Sequence, residues 1–228
     1  MQNLALNLFS NIKKIILLQN TKTLVCAILL VFSHAVFAES SDWELKKTED
    51  DISIYMRDVP DSAINAIRAV TQINAPLDVV LDLLWDASKR PEWNSLCREV
   101  KPVASENPGN PQQQTNYFYY DMPWPVKDRD LIMGFTKTVD QNSAKISASI
   151  VDAPVAENKN AVRVSYAWEE WEISRNEDGS STLSMTAFLD PNGPIPAWLI
   201  NTMSISQPLE VMTKLRAMSL ARAKESAP

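Results

Sequence analysis

Apolar and polar positions alternate with a period of two along most of the chain beyond residue 42, the signature of half-buried strands. Residues 43–47 and 51–57 read as a hairpin turning at Glu49-Asp50, and 64–73, rich in Ile, Val and Ala, as a third strand. The period then changes. Pro76 suits the start of a helix, and Val79, Val80, Leu83 and Leu84 form an apolar stripe that ends near Ala87. Residues 91–96 predict a short helical turn. Strand patterns resume at 99–105, 114–121, 130–139 and 145–151, with Pro108, Gly109 and Pro111 marking a turn after the first of these. A long aromatic strand over 161–174 and a turn at Asp178-Gly179 lead to a last strand over 181–190. Asn192-Gly193-Pro194 stops that strand, and 196–224 reads as one helix kinked at Pro208. Trp198, Ile205, Leu209, Met212 and Leu215 give the helix one apolar face. The count is nine strands, a mid-chain helix and a long C-terminal helix. The pattern predicts an α+β fold in which a curved antiparallel sheet wraps the last helix and leaves an interior space.

The first 38 residues stand apart from this pattern. Their only charges are Lys13, Lys14 and Lys22, followed by an apolar run over 24–32. Val36-Phe37-Ala38 then offers small residues where a signal peptidase inspects the chain, which puts cleavage before Glu39. The run is about half of the roughly 20 residues that span a bilayer, which favours a cleaved signal over an anchor. Cys26 lies inside the run with no small residue before it, so no lipoprotein attachment site is expected. Residues 39–228 then form a single domain, periplasmic or secreted.

Composition narrows the chemistry. Without the three lysines of the leader, 19 basic residues face 28 acidic ones, a net charge of −9. That balance argues against nucleic acid and against electrostatic attraction to anionic lipid. The single histidine, His34, lies in the leader, so Ser-His-Asp and Cys-His catalysis and His-ligated metals are excluded from the mature chain. Cys97 is the only cysteine beyond the leader, so no internal disulfide forms, and it reads as a small buried hydrophobe. Gly109, Gly134, Gly179 and Gly193 are too scattered for a phosphate-cradling loop. No catalytic residue, metal or cofactor is expected.

One connection resists the ordinary reading of a loop. Met122 to Asp130 runs Met-Pro-Trp-Pro-Val-Lys-Asp-Arg-Asp, with two prolines that stiffen the backbone around Trp124. Rigid loops that carry apolar side chains tend to be working parts. Two readings stay open for Trp124: a core residue packed under the loop, or a tip that meets a membrane, where Trp is at home.

Several separated stretches, in order, are similar to one family. Trp43 with Asp51-Ile52-Ser53-Ile54-Tyr55 resembles its opening hairpin, and Ile73-Asn74-Ala75-Pro76-Leu77 its strand-to-helix junction. Trp93 resembles its tryptophan after the first helix. The Met122–Asp130 run is the strongest match, and Asp190-Pro-Asn-Gly-Pro-Ile-Pro-Ala-Trp198 with Asn201 resembles the approach to its last helix. The chain thus resembles START domains (StAR-related lipid transfer), in their bacterial exported branch, over roughly residues 42–223. The resemblance implies a helix-grip fold around a hydrophobic tunnel that holds one lipid. It also implies a gate made of the 121–128 loop, with Met122, Pro123, Trp124 and Pro125, and the C-terminal helix. Some sterol-binding members carry a second arginine, paired with an acid, six positions past the Arg-Asp pair; Phe135 stands there, which weakens the case for a sterol.

The candidate ligand-facing residues follow from this frame. Trp198, Ile205, Leu209 and Met212 would face the tunnel from the helix, or form an ordinary core stripe. Arg129 would hold a lipid head by charge-assisted hydrogen bonds, or hold the loop by a salt bridge to Asp128, Asp130 or a distant acid. Tyr117 and Tyr119 share one face of their strand, and Phe118 and Tyr120 the other; alternation does not decide which face is inner, and the candidate set carries Tyr117 and Tyr119. Met133 and Phe135 share a face of the next strand and would narrow the pocket. Arg163, Glu169, Glu170 and Glu172 read as exposed or paired across strands. The expected function is non-catalytic binding and transfer of a lipid or other hydrophobic small molecule by a monomer, with transient membrane contact. Two alternatives stay open: an enzyme of the polyketide cyclase or aromatase kind, and a sensor of hydrophobic molecules in the envelope.

Overall fold

The computed structural model describes residues 42–104 and 109–225, apart from the side chains at 197, 198 and 201. The leader expected over 1–38 lies outside the described residues.

The hairpin forms as the pattern predicts. β1 (Glu44–Glu49) and β2 (Ile52–Arg57) pair antiparallel with Glu49 opposite Ile52. Asp50 and Asp51 between them both sit at positive φ, 48° and 59°. That is the tight turn whose twist matches paired strands, and a short acidic side chain tolerates it better than most. β3 (Ala66–Ile73) follows. Leu77, Val80, Leu81, Leu83 and Leu84 of α1 (Leu77–Trp85) are buried, and Pro76 caps the helix start. A short turn at Ala87–Lys89 leads into α2 (Arg90–Trp93). β4 (Cys97–Val103), β5 (Gln113–Tyr120), β6 (Asp128–Val139) and β7 (Ser143–Ile150) form a meander.

The expected strand over 161–174 divides. β8 (Ala161–Arg163) pairs parallel with Asp128–Asp130 of β6, while β9 (Tyr166–Arg175) runs between β7 and β10 (Ser181–Asp190). Arg163 donates from Nε and an Nη to the two oxygens of Asp130, at 2.9 Å each, and the Val164 N–H bonds the Asp130 carbonyl. This clamp pulls the first residues out of line, so the sheet has ten strands where the pattern predicted nine. Alternation continues across the break and conceals it.

The strand order is β1-β2-β3-β10-β9-β7-β6-β5-β4, with β8 beside β6. The concave face carries the core, where Ile54, Ala69, Leu183, Ile173 and Phe118 meet α1 and the C-terminal helix α3 (Ala197–Glu225). A second, small apolar cluster sits on the outer face, where Val151, Ala153 and Val155 cover Tyr117, Tyr119 and Ile132. Gly134 allows the close approach there, since a Cβ at that position would lie 2.9 Å from a Val151 methyl.

Candidate functional site

A cavity of about 280 Å³ opens between the concave face of the sheet, α2 and the first half of α3. β6 reaches it with Arg129, Leu131 and Met133, every second residue. β10 supplies Met185 and Ala187, and α3 supplies Ile200, Met203 and Val211. The wall is therefore mostly apolar, as expected where strand alternation and a helix stripe converge.

One charged pair interrupts it. Arg90 from α2 and Glu169 from β9 meet in a bidentate ion pair, 2.7 and 2.5 Å, with both residues about 8% exposed. The Arg90 guanidinium also lies 5.0 Å from the ring centres of Trp93 and Phe118. Burial works against the Arg90 charge, but the Glu169 carboxylate outweighs it and holds the guanidinium firmly protonated. Burial pushes the Tyr120 hydroxyl upward beside it, and pushes the Cys97 thiol up to about 11 despite the Arg90 charge. Net charge at this spot is zero, yet Arg90 Nε and Trp93 Nε1 remain buried without hydrogen-bond partners. A buried donor with no partner costs of the order of 1–3 kcal/mol.

The sequence reading missed this pair. Arg90 stands on a helical turn, where strand alternation says nothing. Glu169 did carry a signal: it falls in the row Ala167, Trp171, Ile173, all buried and otherwise apolar. A lone acid in such a row requires a buried partner.

The expected residues distribute unevenly. Arg129, Met133 and Met122 line the cavity. Tyr117 and Tyr119 point to the outer face instead, under the 151–155 segment, and Tyr120 is the tyrosine on the cavity wall. Phe135 lies on the inner face but off the wall, packed 5.8 Å from the Phe118 ring. Met212 is wholly buried in the core, Leu209 packs on the core edge and Ile205 is half-buried, and none of the three lines the cavity. The wall takes the adjacent helix face, through Ile200, Ser204, Gln207, Pro208 and Val211. The Trp198 side chain lies outside the described residues.

The loop excludes the core reading of Trp124. Its side chain is 90% exposed, between the exposed Pro123 and Pro125. The base of the loop is held by Asp128, whose carboxylate accepts from the Met122 N–H at 2.9 Å and the Tyr119 hydroxyl at 2.6 Å. Burial opposes ionisation there, but those bonds keep the carboxyl below its usual range. Arg129 is fully engaged as a tie, donating to the carbonyls of Pro191 and Asn192 at 2.7 Å each and to that of Lys127 at 2.5 Å. Its partners are carbonyls rather than the expected acids, because Asp130 is occupied by Arg163. Arg129 thus joins the loop to the segment that leads into α3.

Comparison with known proteins agrees with this geometry. The profile described as START domain matches residues 27–225. An uncharacterized protein of Pseudomonas aeruginosa is 30% identical over 193 residues, 84% of this chain and 94% of that one. The phosphatidylcholine transfer protein of Mus musculus is 26% identical over 168 residues, 71% and 76% of the two chains. The crystal structure of the STAR-related lipid transfer protein from Xanthomonas axonopodis superposes with a TM-score of 0.70 at 23% identity, covering 79% of this chain and 99% of that one.

Proposed function

Because the chain belongs to the START-domain family, we propose that it takes one lipid, or another hydrophobic molecule, into the internal cavity and exchanges it with a membrane. The observation that carries this reading is the cavity itself, mostly apolar along its walls and electrically neutral where the Arg90–Glu169 pair meets it. Its volume of about 280 Å³ lies close to the lower end of the ~300–1,000 Å³ usual for small-molecule sites. A two-chain lipid therefore requires α3 or the 122–125 loop to move outward as it enters.

The physical task needs no catalytic residue. Each methylene exposed to water costs ~0.8 kcal/mol, so about ten of them hold a lipid in its bilayer by ~8 kcal/mol. A cavity that receives the chain at the membrane surface removes that barrier, since both environments are apolar. The exposed Trp124 supplies the contact with the membrane, and the Arg129 tie makes the loop and the start of α3 move as one gate. The neutral Arg90–Glu169 pair favours an uncharged or zwitterionic polar end over a free fatty-acid anion, because a bare anion would face Glu169 as well as Arg90. The mouse relative is named for transfer of phosphatidylcholine, a zwitterionic lipid, which supports the same class. Residues 1–38 act as a cleaved export signal in this proposal, and the mature monomer works in the periplasm or outside the cell.

Native mass spectrometry of the protein purified from the periplasm tests the reading. A co-purifying lipid, or uptake of labelled lipid from vesicles, is the expected result. A protein that stays empty and takes up nothing overturns it.

A further inference from the structure

Two arginines on the outer face of the sheet have no acid paired with them. Alternation turns Arg57 of β2 and Arg68 of β3 away from the core that Ile54 and Ala69 enter. Both guanidiniums lie 4.7 Å from the centre of the Trp43 ring, so they stand no more than twice that distance apart. Other cations of the outer surface meet acids, as Lys46 meets Glu44 and Lys145 meets Glu170. Arg57 makes no hydrogen bond or ion pair among the described residues, and Arg68 makes one bond, from Nε to Thr186 Oγ1 at 3.3 Å. The shared ring attracts each cation but neutralises neither. Two adjacent positive groups thus keep unused N–H donors, in a chain where acids outnumber bases.

The strand registers put this pair on the rim that carries the cavity mouth. β2 ends at Arg57 opposite Ala66, where β3 begins, and β10 ends at Asp190 opposite Tyr166, where β9 begins. β7 ends beside the start of β9, and β5 ends at Tyr120 opposite Arg129, at the start of β6. Neighbouring strands are antiparallel throughout this run, so all these ends share one edge of the sheet. Ile64, Met122 and Leu189 of the cavity wall stand on the same edge. Tyr166, Leu189 and Trp124 are exposed along it.

We infer that Trp43, Arg57 and Arg68 form a second membrane anchor, which grips the phosphate of a lipid in the bilayer surface while the cavity exchanges a different one. The planar arginine fork matches phosphate oxygens, and tryptophan suits the level of the head groups. The exposed apolar side chains of the rim favour a bilayer over a free anion, which gains nothing from them. A zwitterionic lipid offers its phosphate at contact distance, so the anchor needs no net positive charge on the protein. It rests on the membrane-exchange reading above and adds an orientation to it: with Trp124 and the arginine pair both engaged, the rim that carries the mouth lies against the bilayer.

Flotation with two kinds of uncharged vesicle tests this, one of dioleoyl phosphatidylcholine and one of dioleoyl digalactosyl-diacylglycerol, which has no phosphate. Arg57→Gln/Arg68→Gln should bind the first about tenfold more weakly than the wild type does, the yield of one charge-assisted contact. It should bind the second as the wild type does, and melt within ~2 °C of it, since both side chains lie at the surface. Wild-type binding by the variant on phosphatidylcholine, or an equal loss on both kinds of vesicle, overturns the anchor; uptake of labelled lipid by the wild type then still upholds lipid binding. Millimolar inorganic phosphate, compared with sodium chloride of equal ionic strength, should leave wild-type flotation unchanged. Release down to the level of the variant would give the arginines to a free anion and overturn the membrane assignment. A wild type that neither floats with vesicles nor takes up labelled lipid overturns the underlying reading instead.

Discussion

Replacing Trp124 by alanine separates the membrane-contact role of the loop from a packing role. The side chain is 90% exposed, so its removal takes away almost no native contact. Stability should change by no more than ~0.5 kcal/mol, the range of ordinary surface substitutions, and the melting temperature by no more than ~2 °C. Membrane attachment should change far more. A tryptophan offers at least ~150 Å² of surface, which at ~25 cal/mol/Å² is worth about 4 kcal/mol if wholly desolvated. Insertion to half that extent gives ~2 kcal/mol, or about a 30-fold loss of vesicle affinity. Flotation with neutral vesicles and lipid exchange between labelled and unlabelled vesicles measure the effect, with thermal melting as the control. Trp124→Phe should retain part of the affinity. The net charge of −9 over residues 39–228 gives no pull toward anionic lipid, so wild-type attachment to neutral vesicles should be nearly insensitive to salt. A fall of several degrees in melting temperature, or exchange at the wild-type rate, would refute this account of the loop.

Other residues give sharper tests of the interior. Glu169→Leu alone strands the Arg90 charge and should cost ~3–5 kcal/mol in urea unfolding, whereas Arg90→Leu/Glu169→Leu should cost clearly less than the two single losses together; additive losses would show that the groups do not act as a pair. The Cys97 thiol, raised from 9.0 to about 11 chiefly by burial, favours the folded state fully below pH 9, and that contribution fades as pH rises to 11. Between pH 8 and 11 the wild type should thus lose up to ~3 kcal/mol more than Cys97→Ala does, and equal losses would contradict the burial argument. Phe135→Ala should cost ~3–5 kcal/mol and leave the ligand profile unaltered, because the ring fills core rather than cavity wall; a broadened profile at unchanged stability would place it on the wall. Arg129→Lys cannot reproduce three directed bonds from one planar fork, so amide exchange should quicken in both 122–127 and 191–196, and quickening in only one would mean the two segments are not tied.

The sequence by itself determined the element order, the curved antiparallel sheet with its long last helix, and the rigid apolar loop at Trp124. Those features are local: periodicity, proline and turn chemistry act over a few residues and are written consecutively. It also bounded the chemistry, because histidines can be counted and the described residues hold none. Tertiary structure alone decided which face of β5 is inner. Alternation groups Tyr117 with Tyr119 but cannot orient the group when the 151–155 segment buries the outer face as well. The helix stripe misled for a related reason, since the first half of α3 turns one row toward the cavity while Met212 and Leu215 turn the next toward the core. The polar contacts that organise the site join residues far apart in the chain, 79 positions for Arg90 and Glu169 and 62 for Arg129 and Pro191. Such pairs leave no periodic trace: each partner obeys its own strand or turn, and only the closing of the sheet round the helix brings their charges within reach.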